Sequence, residues 1–274
     1  MELVPQHLAL FAALLLVTGL LAGLVAGLLG VGGGIVIVPV LFHVFSALGI
    51  DASVRMHLAV GTSLSTILVT AWRSARAHRA RGALDQELLR SWAVPVLAGV
   101  VLGSAAFGAV SGALLSGLFG IVALVVALHM AFGREDRRLA DAPPAGVARL
   151  GIGAGIGLLS VLMGLGGGTL GVPILTLLGV PIHRAVGTAA GLGLLIAIPG
   201  TLGSLLLGWG AAGRPPGSLG YVNAIGFALI VPATAWAAPW GVHLAHAISR
   251  SALRRAFAAF LALTSLRMLY GLLP

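Results

Sequence analysis

The chain has 274 residues, 59% of them hydrophobic and 8% charged, with a mean hydropathy of +1.09. Soluble domains carry about a quarter charged residues, so this composition belongs to a polytopic membrane protein. The formal net charge of +9 comes from arginines in short islands beside hydrophobic runs, where they act as topology signals and not as a nucleic-acid patch. The absence of cysteine excludes disulfides, thiolate metal sites and cysteine nucleophiles.

In chain order the hydrophobic segments fall at 8–29, 35–49, 57–75, 88–110 and 114–132, then at 149–165, 168–181, 185–208, 219–245 and 254–272. Apart from histidines, nothing ionic lies between Glu2 and Asp51, between Arg90 and Arg134, or between Arg149 and Arg184. Each gap has room for one or two helices of about 20 residues. Glu2 and the lack of an early basic cluster make 8–29 a retained first helix, not a cleaved signal. The expected fold is an all-α polytopic membrane protein of 8–10 transmembrane helices, some short or broken.

The second five segments repeat the first. "GVGGG" at 30–34 with Pro39 matches "GLGGG" at 164–168 with Pro173; "HLAVGTS" at 57–63 matches "HRAVGTA" at 183–189; "LFGIVALVVALHM" matches "AFAAFLALTSLRM". Residues 1–133 and 149–274 are therefore read as two repeats joined by a linker at 134–148. The loop after the third segment carries Arg73, Arg76, Arg79 and Arg81, whereas its counterpart carries only Arg214. The turn between fourth and fifth segments is uncharged in the first half and holds Arg250, Arg254 and Arg255 in the second. That exchange predicts opposite insertion of the halves, with the linker cytoplasmic and only Arg55, Arg214 and Arg267 outside. Inverted repeats of this kind are a transporter architecture.

Three consecutive glycines inside an apolar segment interrupt a helix, and in hydrocarbon such a break is tolerated only where protein or a water-filled cavity satisfies the freed backbone groups. The paired breaks make Gly32, Gly33, Gly34, Gly166, Gly167 and Gly168 candidate substrate-binding residues, their N–H groups facing an anion at the starts of two short helices. Close helix packing, expected at Gly19 and Gly23, is the competing reading. Thr62, Ser63 and Thr188 supply hydroxyls beside these blocks, for substrate or for the carbonyl of the preceding turn. Thr169 follows the second glycine run without a hydroxyl counterpart, since Ile35 holds that place in the first half. His57 and His183 occupy equivalent positions and are candidates for proton coupling or for interfacial packing. No metal-ligand spacing and no cofactor motif is present. Trp72, Trp92, Trp209, Trp236 and Tyr221 read as interfacial belt residues.

The "GxGGG…P" pairs, the "AVGTS" and "AVGTA" blocks, the basic "ARAHRARGALD" stretch and the closing "RRAFAAFLALTSLRML" resemble the sulfite exporter TauE/SafE family of membrane transporters over nearly the whole chain. The resemblance implies a bacterial inner-membrane, multi-pass carrier of small anions, often sulfur oxyanions or organosulfonates. Its partners would be the anion and membrane lipids, with no nucleic acid; a homodimer is compatible with this reading. The second half departs from the pattern. Ala189 replaces Ser63, and the loop around "GRPPGSLG" lacks an Asp85 equivalent. An anion channel, or a carboxylate or other small-anion uptake permease coupled to protons or Na⁺, remains the alternative. An enzyme is not expected, because the apolar segments hold no Asp or Glu and no hydrolytic triad spacing.

Overall fold

A computed structural model describes the backbone of residues 5–29, 33–132, 139–247 and 250–272, and the side chains of 12–26, 33–132, 139–240 and 255–272. The described chain forms α1 (Pro5–Leu29), α2 (Gly34–Ala47), α3 (Ala52–Ala80), α4 (Gln86–Phe107), α5 (Gly112–Phe132), α6 (Gly146–Met163), α7 (Gly167–Leu177), α8 (Ile182–Leu207), α9 (Ala224–Ala247) and α10 (Arg250–Tyr270). A two-residue antiparallel ladder, β1 (Ser218–Leu219) with β2 (Val222–Asn223), precedes α9. The ten helices coincide with the ten apolar segments to within a few residues. Helices α3, α4, α5, α6 and α8 are long and apolar enough to cross a membrane. By contrast, α2 has 14 residues and α7 has 11. At about 1.5 Å per residue they reach roughly 16–21 Å, short of a hydrocarbon core of about 30 Å.

Three expectations need correction. Helix α3 runs on to Ala80, so Arg73, Arg76 and Arg79 decorate its last turns instead of a loop. Alanine and arginine are strong helix formers, and His78 and Arg79 in the last turn complement the helix dipole. The start of the ninth segment is not helical: residues 219–223 turn through the ladder, and α9 begins only at Ala224. Trp92 is fully buried and Tyr221 is 8% exposed, so neither is a belt residue. Position near a segment end does not reveal which face of the helix is packed.

Three helix pairings recur in both halves. α1 packs on α9 as α6 packs on α4, α2 packs on α3 as α7 packs on α8, and α3 packs on α9 as α8 packs on α4. Contacts of α3 with α8 and of α5 with α10 complete the bundle. The first helix of each half thus lies on the fourth helix of the other. Small residues make these crossings close: a Cβ on Gly23 would lie 2.5 Å from the Thr234 carbonyl, and its repeat partner Gly157 meets the Val96 carbonyl in the same way. Gly19 meets Ala233 and Ile230, as the packing reading expects. In a membrane, where lipid tails are as apolar as leucine, such backbone approach supplies the packing that burial of oily surface cannot. The end of the linker is docked, with the Leu139 and Ala140 N–H groups donating to the Leu177 carbonyl at 2.8 and 3.3 Å.

Candidate functional site

Each glycine block starts a short helix, and the second block also ends the helix before it. Helix α6 stops at Gly164, whose φ of 67° lies in the left-handed region, and the Leu165 N–H closes back on the Ser160 carbonyl at 2.8 Å. The chain restarts as α7 after Gly166. In the first half Gly33, with φ 69°, is the N-cap of α2, its carbonyl accepting from the Val36 and Ile37 N–H groups at 3.0 and 3.1 Å. The left-handed conformation costs an L-residue about 1–2 kcal/mol, which is the local reason for glycine at 33 and 164. Neither Gly33 nor Gly166 supplies a side-chain cap, and both helix starts are buried. The Val36 and Thr169 N–H groups turn back onto the Gly33 and Gly166 carbonyls, which leaves the N–H groups of Gly34, Ile35, Gly167 and Gly168 with no acceptor in their own helices. Two uncapped, buried, electropositive helix ends result.

The two breaks come together around α3. Ser63 Oγ donates to the Gly164 carbonyl at 2.7 Å. A Cβ on Gly34 would stand 2.7 Å from that same oxygen and 2.8 Å from Ile67 Cδ1, while one on Gly166 would stand 3.2 Å from Ile67 Cγ2. Ile67, 1% exposed, therefore touches both blocks. Gly167 is pressed onto α8, where a Cβ would lie 2.5 Å from the Gly193 nitrogen and collide with the Ala189 carbonyl. Gly168 and Thr169 are buried beside it in the first turn of α7. Gly32 lies outside the described residues.

Thr62 and Thr188 take matching places in a clamp between the halves. Thr62 Oγ1 accepts from the Asn223 N–H at 2.9 Å, and Thr188 Oγ1 accepts from the Asp85 N–H at 3.4 Å. Asn223 and Asp85 in turn cap α9 and α4, their side-chain oxygens accepting from the Gly226 N–H at 2.7 Å and the Leu88 N–H at 3.0 Å. The preceding glycines complete the fit: Gly61 abuts the Tyr221 carbonyl, and Gly187 abuts the Ala83 carbonyl. In each "VGT" the glycine admits a carbonyl of the opposite half and the threonine oxygen accepts the N–H two residues on. Each threonine keeps its own O–H to donate. Asp85 therefore has a repeat counterpart, Asn223, which corrects the expectation that the second half lacks one; loops of different length hid the match.

The paired histidines do not share an environment. His57 is 4% exposed, with Nδ1 3.1 Å from the Ser53 carbonyl and Nε2 3.1 and 3.0 Å from the Phe107 and Val110 carbonyls. It stacks on Tyr221 at 4.8 Å and ties α3 to the α4–α5 turn. His183 is exposed at the start of α8. Nearby, Arg184 pairs with Asp85 across the same end of the bundle. Among the described residues no group of three or more histidine or carboxylate side chains could hold a metal ion.

The family described as "Sulfite exporter TauE/SafE" matches residues 15–268. The chain belongs to the sulfite exporter TauE/SafE family. It is thus a membrane transporter and not an enzyme. A relative from Haemophilus influenzae, named "Probable membrane transporter protein", is 30% identical over 94% of this chain and 98% of its own length. A likewise named protein of Methanocaldococcus jannaschii is 28% identical over 95% of this chain and 96% of its own. "Probable membrane transporter protein YunE" of Bacillus subtilis is 28% identical over 71% of this chain and 78% of its own. No solved structure matches. In this TauE/SafE transporter, the sequence reading missed Ile67, Asn223 and Gly193. Ile67 is an ordinary apolar residue in an apolar helix and carries no signal. Asn223 could have been found as a capping residue directly before an apolar run.

Proposed function

We propose that this transporter is a secondary carrier that exports small anions, such as sulfite, an organosulfonate or a related sulfur oxyanion, across the bacterial inner membrane by alternating access. The supporting observation is the meeting of two buried, uncapped helix starts at the paired glycine breaks, around Ile67 and the Ser63–Gly164 bond. Backbone N–H groups and the positive ends of α2 and α7 favour a negative ligand there. The O–H groups of Thr62 and Thr188 are further donors at the same level of the two repeats. Short helices that end at the substrate are a recurring feature of carriers built from inverted repeats. An inside-negative potential assists the exit of a monoanion by about 2.3 kcal/mol per 100 mV, so export needs no coupling ion. By the positive-inside rule the basic end of α3 and the linker face the cytosol.

Purified protein in liposomes tests the reading by counterflow. Sulfite, methanesulfonate, sulfoacetate and acetate are each loaded inside, and labelled anion uptake is followed. Trans-stimulation by sulfite or a sulfonate supports the carrier. Flux without trans-stimulation assigns a channel, and acetate flux driven by a proton or Na⁺ gradient assigns an uptake permease. Absence of flux with every anion refutes the proposal.

A further inference from the structure

His57 sits in the second turn of α3, at the end of the bundle opposite that helix's basic turns. Its ring faces acceptors on both sides: the Ser53 carbonyl lies 3.1 Å from Nδ1, and the Phe107 and Val110 carbonyls lie 3.1 and 3.0 Å from Nε2. A neutral imidazole has one N–H, so in either tautomer the other nitrogen presents its lone pair to a carbonyl oxygen. Only the imidazolium donates from both nitrogens and satisfies all three oxygens. Two features of the surroundings favour the same charge. Phe107 is the last residue of α4, so the ring stands at the negative end of that helix. The ring of Tyr221 stacks on the imidazole with centroids 4.8 Å apart, an arrangement that attracts a cation. The charged groups of this end are engaged elsewhere. Asp51 accepts from the Ser53 N–H and hydroxyl at 2.8 and 2.7 Å, Arg55 donates to the Ile50 carbonyl at 2.7 Å, and Arg214 donates to the Ala211 carbonyl at 2.7 Å. His43 on α2 lies within the field of Arg267 on α10. Helices α4, α5, α6, α8 and α9 carry their ionisable side chains toward the opposite end. Among the described residues no charged side chain bonds the His57 ring.

We infer that His57 is a proton-operated latch on the external end of the transporter: protonated, it bolts the α4–α5 turn and Tyr221 onto α3, and on losing its proton to external water it releases them so that this end opens. Tyr221 carries the closure inward. Its N–H donates to the Ser204 carbonyl at 2.9 Å, its own carbonyl packs on Gly61, and two residues on the Asn223 N–H reaches Thr62. Loss of the proton replaces one charge-assisted bond by a lone pair facing an oxygen, and takes the cation off the tyrosine face. The placing of this end outside, and the need for it to open, rest on the carrier reading. Repeat symmetry makes the latch one-sided. His183 is exposed, and counting from the matched caps Tyr221 corresponds to Ala83, which has no ring. The linker end is closed instead by the Arg184–Asp85 pair. A histidine titrates between about pH 5 and 8, where an aspartate and an arginine both keep their charges, so external pH addresses one end of the carrier alone.

Full-length protein labelled with ¹⁵N-histidine in detergent micelles reads the ring directly. The His57 signals are identified by their loss in His57→Gln or, should that variant not fold, by their shift in Tyr221→Leu. The expected result is an imidazolium with both nitrogens protonated at about pH 5.5 and one neutral tautomer at about pH 8. In Tyr221→Leu the proton affinity should fall about threefold or more, because the stacked face is gone. Opening is read from Ser204→Cys, a single cysteine in an otherwise cysteine-free chain, at a residue 1% exposed beneath Tyr221. Its maleimide labelling rate is divided by that of the exposed Ala212→Cys, which removes the pH dependence of the thiol itself. That ratio should rise about fivefold or more between the same two pH values, and should ignore pH when His57→Gln is added. A ring that keeps one charge state across the range, an unchanged proton affinity in Tyr221→Leu, or a ratio that ignores pH in the His57 protein overturns the latch. Neither reading needs a substrate, so counterflow keeps the two proposals apart: pH-dependent ring and labelling without flux of any anion leave the latch standing while the carrier reading fails, and sulfite counterflow with a pH-independent ring does the reverse.

Discussion

Replacing Thr62 by valine preserves the shape of a fully buried side chain and deletes one oxygen. That oxygen accepts the Asn223 N–H at 2.9 Å, and Asn223 is 1% exposed, so no water can take its place. Leaving a buried donor unsatisfied costs about 1–3 kcal/mol, whereas the isosteric swap adds almost no cavity term. At about 2–4 °C per kcal/mol for chains of 150–250 residues, the midpoint should fall by roughly 2–12 °C. Thr188→Val removes the equivalent bond, but there the distance is 3.4 Å and Asp85 is only partly buried, so water replaces the acceptor and the cost stays below about 1 kcal/mol. Thr62→Ser restores the acceptor and should recover most of the loss. Thermal unfolding in one detergent at one scan rate measures all three, since membrane proteins often unfold irreversibly and midpoints then depend on rate. Equal midpoints for Thr62→Val and wild type, or a larger loss in Thr188→Val, would refute the clamp as a source of stability.

The two glycines should fail differently: Gly33→Ala meets ordinary contacts at 3.5 Å but a forbidden φ, giving a strain of about 1–2 kcal/mol, so folded protein is recovered and counterflow is lost. Gly167→Ala drives a Cβ into the α8 backbone and should lower the folded yield itself, which size-exclusion recovery reads directly. The Leu88 N–H, and then Arg184, hold the Asp85 carboxyl below the ordinary value of 3.8. A depressed native value contributes stability above the unfolded value and loses it as pH falls through the native one, so any midpoint gap over Asp85→Asn stays constant down to about pH 5 and closes below about pH 4. A gap independent of pH would count against that interaction. Because the chain has no cysteine, Arg79→Cys and Arg214→Cys give clean topology reporters: maleimide should label the first only from the cytosol and the second only from outside. Labelling from one side alone would end the inverted-repeat reading.

Hydropathy and repetition by themselves determined the ten segments, the class of the fold, and the paired glycine interruptions. These are local or periodic properties, because a helix in lipid must satisfy its own backbone within a single run of about 20 residues and a triple glycine breaks any such run. Only the tertiary structure decided which half each motif serves. Thr62 and Thr188 lie in one half and hold helix caps of the other, through Asn223 and Asp85, and nothing local to "AVGT" announces a partner more than a hundred residues away. His57 and His183 look equivalent in the repeat, yet one is enclosed by three carbonyls and the other is exposed. Trp92 makes the same point: a segment end is visible in composition, but the face of α4 that packs is chosen by α6 and α8, and those contacts exist only once the two halves have exchanged their first helices.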